Sequence, residues 1–392
     1  MSKRAGDSSP TISVLGAGSG GITMAADLAI RGFRVNLWNR SLARIQPLIA
    51  SPQVRLTSDH PGLPIGTGTL NRVTTDPAAA VAGSSLLMVV VPATGHASVA
   101  REIAPHLTDG QVLVLNPGRT GGALEFQHSL RLAGCSADVI VAEAQTLLYA
   151  CRSDNPGQAK IFGIKNSVPV AAIPAHKTPQ VIRTLSTAFD SFVPGDNVIK
   201  TSLDNIGAVF HPAVTVLNCA RIESTHGDFE FYIDGITPSV ARTLERVDKE
   251  RVSVGAAIGF NCMSAREWLY VAYGAAGSTL FDAIRANDGY YGIRAPHSLD
   301  TRYLSEDVPA SLVPIASLGE EYGAPCPTIR SVIALAEVIT GEAYSQTGRT
   351  AESMGIKGLS LLELRRLVLE GAPDRPSHTN NGPRYDDQRV DA

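Results

Sequence analysis

Through the first half of the chain, short apolar runs alternate with amphipathic stretches; beyond about residue 200 the apolar positions recur at helical spacing instead. Ile12 to Leu15, Val35 to Trp38, Leu86 to Val91, Gln111 to Leu115 and Val139 to Glu143 are nearly continuous apolar runs. Such runs suit strands buried on both faces of a parallel sheet. Between them lie helical patterns after Gly21, over Ser41 to Ile49, Asp76 to Ala82 and Ala97 to Leu107. Residues 50–72, rich in Pro, Gly, Ser and Thr, read as loop with a short hairpin. Lys160 to Ile164 and Val168 to Ile173 read as further strands, and Thr178 to Phe189 as a helix. Helical patterns then cover Asn205–Ser224, Pro238–Ile258, Ala265–Ala275, Ser278–Asn287, Val308–Gly323, Thr328–Ile339 and Leu361–Leu369. The expected fold class is α/β followed by all-α: a doubly wound parallel sheet over residues 11–200, then an all-α domain over 201–372. Residues 1–10 and 373–392 are polar and are expected to be a disordered lead-in and tail.

The first apolar run ends in a glycine turn. Gly16, Gly18 and Gly21 fit G-x-G-x-x-G, with Ser19 and Gly20 between them. Strand, glycine turn, helix and second strand follow within about 30 residues, the context of a dinucleotide-binding Rossmann unit. Gly16 permits the tight turn, Gly18 lets the backbone approach a pyrophosphate, and Gly21 lets the helix pack on the strand. The free N–H groups at the helix start favour the anion. At the end of the second strand an NAD site usually carries Asp or Glu. Here the chain reads Trp38-Asn39-Arg40-Ser41, with no carboxylate to repel a 2′-phosphate and with donors in Arg40 and Ser41. NADP(H) is therefore the expected cofactor, with NAD(H) still compatible. The loops Gly16–Gly21, Pro92–His96, Asn116–Gly122 and Glu143–Thr146 follow strands and are expected to ring one crevice.

A chain of 392 residues can bury a large core and divide into two domains. Its net charge of −3 offers no electrostatic case for nucleic acid or an anionic membrane. The five cysteines are scattered without a C-x-x-C pair, which argues against a zinc site and fits a reducing cytoplasm. The N-terminus lacks the apolar core of a signal peptide, and no apolar run reaches the length of a membrane span.

Three places could carry chemistry. His211 lies in an apolar stretch before Pro212, as an acid/base group or as a core histidine. Ser305-Glu306-Asp307 precedes an apolar helical run, which also suits a capping role, and Arg302 just before it could be a surface cation. Glu143, at a strand end, is a ligand contact or a cap. Arg119 and Arg152 lie on loops near the expected crevice without an assignment.

Taken together, these motifs resemble the opine dehydrogenase family, which includes octopine and nopaline dehydrogenases. The resemblance spans roughly residues 10–370. It rests on Gly16–Gly21, Asn116-Pro-Gly118, Glu143, the Asn205…His211-Pro212 stretch, Phe231-Tyr232-x-x-Gly235-Ile-Thr237-Pro238, and Arg302-Tyr-Leu-x-Glu-Asp307-Val-Pro309. It implies reductive condensation of an amino acid with an α-keto acid, pyruvate being the candidate, through an imine reduced by NAD(P)H. It further implies that His211 and Asp307 are the catalytic pair, that Arg302 grips the keto-acid carboxylate and that Glu143 contacts the amino acid. A histidine held by a carboxylate suits the proton transfer, and a bidentate arginine suits a carboxylate. A homodimer through apolar faces of the α-domain is compatible with the pattern. Two other readings share the plan: a hydroxy-acid dehydrogenase of the 6-phosphogluconate or ketopantoate type, which would use a lysine, and a non-catalytic NADP sensor.

Overall fold

The computed structural model describes residues 10–371; the lead-in to residue 9 and the tail from 373 lie outside them. The apolar runs form the strands Thr11–Leu15, Arg34–Trp38, Ser84–Val89, Val112–Leu115 and Ile140–Ala144, which lie parallel and, with Arg72–Thr74 at one edge, make up most of an eight-stranded sheet. Successive side chains point to opposite faces, so each strand feeds two cores. Leu15, Trp38, Leu113 and Leu115 face a core that continues into the helical half, through residues such as Val198, Phe210 and Leu244. Ile12, Val14, Val112 and Val114 face the other, against the helix Ser19–Ile30.

The doubly wound parallel expectation needs one correction. Val168–Ile173 pairs antiparallel with Ile140–Ala144, so that edge of the sheet is mixed. The chain between them makes a hairpin, Tyr149–Asn155 and Gln158–Ile164, rather than the helix a parallel crossover requires. This hairpin joins the hairpin Gln53–Thr57 and Gly66–Thr69 in a second, four-stranded sheet. That sheet covers the nucleotide helix, which explains why its residues Gly21 to Leu28 are buried all round. Asp27 inside it is fully buried but satisfied by Arg31 at 2.8 Å and the Tyr149 hydroxyl at 2.7 Å.

After Phe192–Pro194, the last strand of the sheet, the helix Val198–Leu203 contacts both the sheet and the helix Pro238–Ala257. The fully buried Arg251 fastens this junction, donating to Leu203 O at 2.6 Å and pairing with Asp248 at 2.7 Å. Beyond it the described chain is helical apart from an isolated bridge between Glu230 and Arg294. The stretch expected as one helix over Asn205–Ser224 is two, Gly207–Leu217 and Cys219–Thr225. The break falls at Asn218, whose amide donates to Val214 O and Gly235 O. No helix among the described residues is long and apolar enough to cross a membrane.

Candidate active site

His211 projects from the helix Gly207–Leu217, with Pro212 inside that helix rather than at its start. Its Nδ1 is 2.7 Å from Asp307 Oδ2, its Nε2 is 3.2 Å from the Tyr232 hydroxyl, and its ring stacks on Tyr303 at 4.1 Å. The side chain is 17% exposed, so the ring is held yet still reachable. Asp307 is fully buried just ahead of a π-helical turn, Val308–Leu312, a feature common near functional sites. It makes no capping bond; Thr301 caps the short helix Arg302–Ser305 instead. Of the two readings of Ser305-Glu306-Asp307, the tertiary contacts therefore leave Asp307 free to face His211.

The second oxygen of Asp307 makes an ion pair with Arg119 Nη1 at 2.8 Å. Burial pushes the Asp307 carboxyl up, but Arg119 and the His211 hydrogen bond outweigh it and hold the pKa below its ordinary value. Arg119 is itself buried, with its backbone at φ 59°, and its Nε lies 3.5 Å from Glu306. Burial opposes its charge, but Asp307 and Glu306 more than compensate, so its pKa is raised. Arg119, unassigned from the sequence, thus sits at the centre of the site. Arg152 is an exposed partner of Asp154. Tyr232 was also unassigned: it is buried and stacks on Tyr290 at 4.1 Å. Burial, followed by neighbouring tyrosines, keeps its hydroxyl protonated. Its motif was visible, but no local signal tells a buried tyrosine beside a histidine from one in a core.

Arg302 is exposed, and its guanidinium makes no hydrogen bond or ion pair to any described residue. It is close enough to help lower the Asp307 pKa. Glu143 is placed differently. It is 1% exposed; its Oε1 accepts from Thr201 at 2.7 Å and Ser202 at 2.8 Å, and its Oε2 from Ala123 N at 2.9 Å. Gly118 lies directly over it, where any Cβ would overlap the carboxylate. Burial raises the Glu143 pKa to about 7 in spite of these bonds.

The glycine turn fits a dinucleotide. Gly16 has φ +122°, and a Cβ there would run into Val90 O. An added Cβ at Gly18 would meet nothing within 4 Å, so the turn has an open face. A Cβ at Gly21 would collide with Gly16 O, and Gly20 lies against Leu147. Ser19 Oγ accepts from Ser153 N at 3.1 Å. Asn39 Oδ1 accepts from Ala17 N at 3.1 Å, tying the second strand to the turn, and its amide donates to Ser41 O. Arg40 donates to Ser98 Oγ at 3.0 Å. Arg44, not foreseen, donates to Ala17 O at 2.9 Å; it lies in the first turn of the helix that follows the second strand. The strand Ser84–Val89 stops before Pro92, which opens the turn Ala93–Gly95. The buried Arg349 donates to Ala93 O at 3.1 Å and Thr120 O at 2.7 Å and so joins the Pro92–His96 and Asn116–Gly122 loops.

Residues 194–340 match the model of the NAD/NADP octopine/nopaline dehydrogenase alpha-helical domain, and residues 11–118 match that of the NAD-dependent glycerol-3-phosphate dehydrogenase N-terminus. An opine dehydrogenase of Arthrobacter sp. (strain 1C) is 38% identical over 360 residues, 92% of this chain and 99% of that protein. The octopine dehydrogenase structure with NADH and L-arginine superposes with TM-score 0.75 at 20% identity, over 94% of this chain and 100% of its own. The NADP+-bound yersinopine dehydrogenase structure superposes with TM-score 0.73 at 16% identity, over 89% of this chain and 97% of its own.

Proposed function

The chain belongs to the opine dehydrogenase family, and from that premise we propose that His211, held by Asp307, is the acid and base of its reaction. The protein is an NAD(P)-dependent oxidoreductase acting on CH–NH donors. It condenses an amino acid with an α-keto acid through an imine to an N-(carboxyalkyl)amino acid, or runs the reverse oxidation. The observation that carries the assignment of His211 is the 2.7 Å bond from its Nδ1 to a buried carboxylate. That bond fixes the tautomer, so Nε2 is the atom that exchanges a proton with substrate. In the condensing direction the carbonyl oxygen must leave as water, and the imidazolium at Nε2 supplies the proton. The neutral Tyr232 hydroxyl holds Nε2 until a substrate oxygen replaces it. Arg302, unpaired beside the stacked Tyr303, takes the keto-acid carboxylate. We read Glu143 as a positioning group under the Arg119 loop rather than as a substrate contact.

The Gly16–Gly21 turn would hold the pyrophosphate, and Arg40, Ser41 and Arg44 the 2′-phosphate, so NADP(H) is the preferred cofactor. When bound, it supplies the hydride. The reading includes pyruvate as keto acid, a cytoplasmic location suggested by the scattered free cysteines, and a domain division at the Val198–Leu203 junction. The test follows NADPH absorbance with pyruvate and an amino-acid mixture, omitting each in turn. Oxidation should need both; oxidation with pyruvate alone would identify a keto-acid reductase. His211→Ala should cut turnover by at least ~100-fold while NADPH still binds, and unchanged turnover would overturn the role of His211.

A further inference from the structure

We propose that Lys165 holds the carboxylate of the amino-acid substrate, so that the crevice grips the two carboxylates of its product on two separate cations, Lys165 and Arg302. The inference rests on the reaction assigned above. Lys165 follows the strand Gln158–Ile164 of the second sheet. Its ammonium donates to Thr146 Oγ1 at 3.0 Å and Leu147 O at 2.7 Å. Both acceptors are neutral, and no carboxylate pairs with Lys165 among the described residues. Thr146 lies just past the carboxyl end of the strand Ile140–Ala144, where ligands of such sheets bind. Leu147 packs on Gly20 of the nucleotide turn. The lysine therefore stands between the cofactor turn and the catalytic cluster.

Its electrostatic surroundings are one-sided. Burial, then Arg302 and then Arg119 press its pKa down to about 8, although part of the side chain faces solvent. Arg119 is neutralised by Asp307 and Glu306, but Arg302 has no counter-charge in the described protein. Two cations without anions, close enough for Arg302 to act on Lys165, are an unfavourable arrangement that a dianionic ligand relieves. The substrates bring one carboxylate each. Arg302 adjoins the Tyr303–His211 stack, where the keto-acid carbonyl is protonated, so the amino-acid carboxylate falls to the lysine. The competing anion of similar chemistry is a phosphate of the cofactor.

The test compares wild type, Lys165→Met and Lys165→Arg for KM of amino acid and keto acid, and for NADPH affinity by fluorescence titration. Lys165→Met should raise the amino-acid KM by about ten- to a hundredfold, the scale of one charge-assisted hydrogen bond, with NADPH affinity unchanged. Lys165→Arg should recover most of the loss. In wild type alone, the amide of the same amino acid should show a KM at least about tenfold above that of the acid, a reading that survives even if the methionine variant does not fold. An unchanged amino-acid KM in Lys165→Met, or weakened NADPH binding in its place, overturns the proposal, the latter in favour of a phosphate contact. Loss of the requirement for both substrates in wild type would strike the reaction itself and not the lysine.

Discussion

At the scale of single residues, Glu143 and Asp307 are both buried carboxylates with opposite electrostatics. Asp307 has Arg119 and His211 against it and stays ionised. Glu143 is bonded by hydroxyls and one N–H, with Arg349 adding the smallest effect, so burial dominates and its pKa rises to about 7 from 4.5. The folded protein then binds a proton more tightly there than the unfolded chain does. Stability should fall as pH rises from about 4.5 to about 7 and level off above, by up to roughly 3 kcal/mol. Glu143→Gln should remove that slope, gaining on wild type in urea midpoint between pH 5 and pH 7.5. A gap of the same size at both pH values would show that Glu143 does not titrate as described. From the sequence, a glutamate closing a strand reads equally as ligand contact or prop. The choice depends on Gly118, Thr201 and Ser202 folding over it.

At the scale of elements, the strands were legible because burial on both faces leaves a run of apolar residues wherever a parallel sheet forms. The glycine turn was legible because φ +122° at Gly16 is a backbone demand that the residue type itself announces. The hairpin strand Tyr149–Asn155 was not, since one of its faces is exposed and carries the charged Arg152 and Asp154, which breaks the apolar run. After the second strand, Arg40 stands just before the helix Leu42–Ala50 and Arg44 in its first turn, each pinned by a neutral acceptor. If they receive the 2′-phosphate, Arg40→Asp should weaken NADPH at least tenfold more than NADH, the loss of a charge-assisted contact made worse by repulsion. Parallel losses for the two cofactors in a fluorescence titration would exclude that role.

At the scale of the whole molecule, Arg349 ties a segment late in the chain to the sheet. It pairs with Glu125 at 2.9 Å and donates to Ala93 O, Thr120 O and His96 Nδ1. Burial, then Arg349 and Arg119, keep His96 neutral, so its Nδ1 can accept that bond. Arg349→Met should cost about 3 kcal/mol of stability, because a partly buried carboxylate and two buried carbonyls lose their donor. It should also weaken NADPH binding by loosening both loops. A variant with wild-type melting and wild-type NADPH affinity would show that the loops hold without the clamp.

The sequence by itself determined the central parallel strands, the change to helices in the second half, the glycine turn, the missing carboxylate after the second strand and, through motif resemblance, the pairing of His211 with Asp307. These are properties of neighbouring residues, or of patterns that local backbone geometry and burial impress on the chain. Only the tertiary structure decided that Asp307 faces Arg119 and His211 rather than a helix end, that Tyr232 meets Nε2, that Glu143 turns beneath its loop and that Lys165 stands unpaired near Arg302. Those outcomes depend on distance and burial between segments far apart in the chain, and charge interactions change with both far more steeply than residue order records.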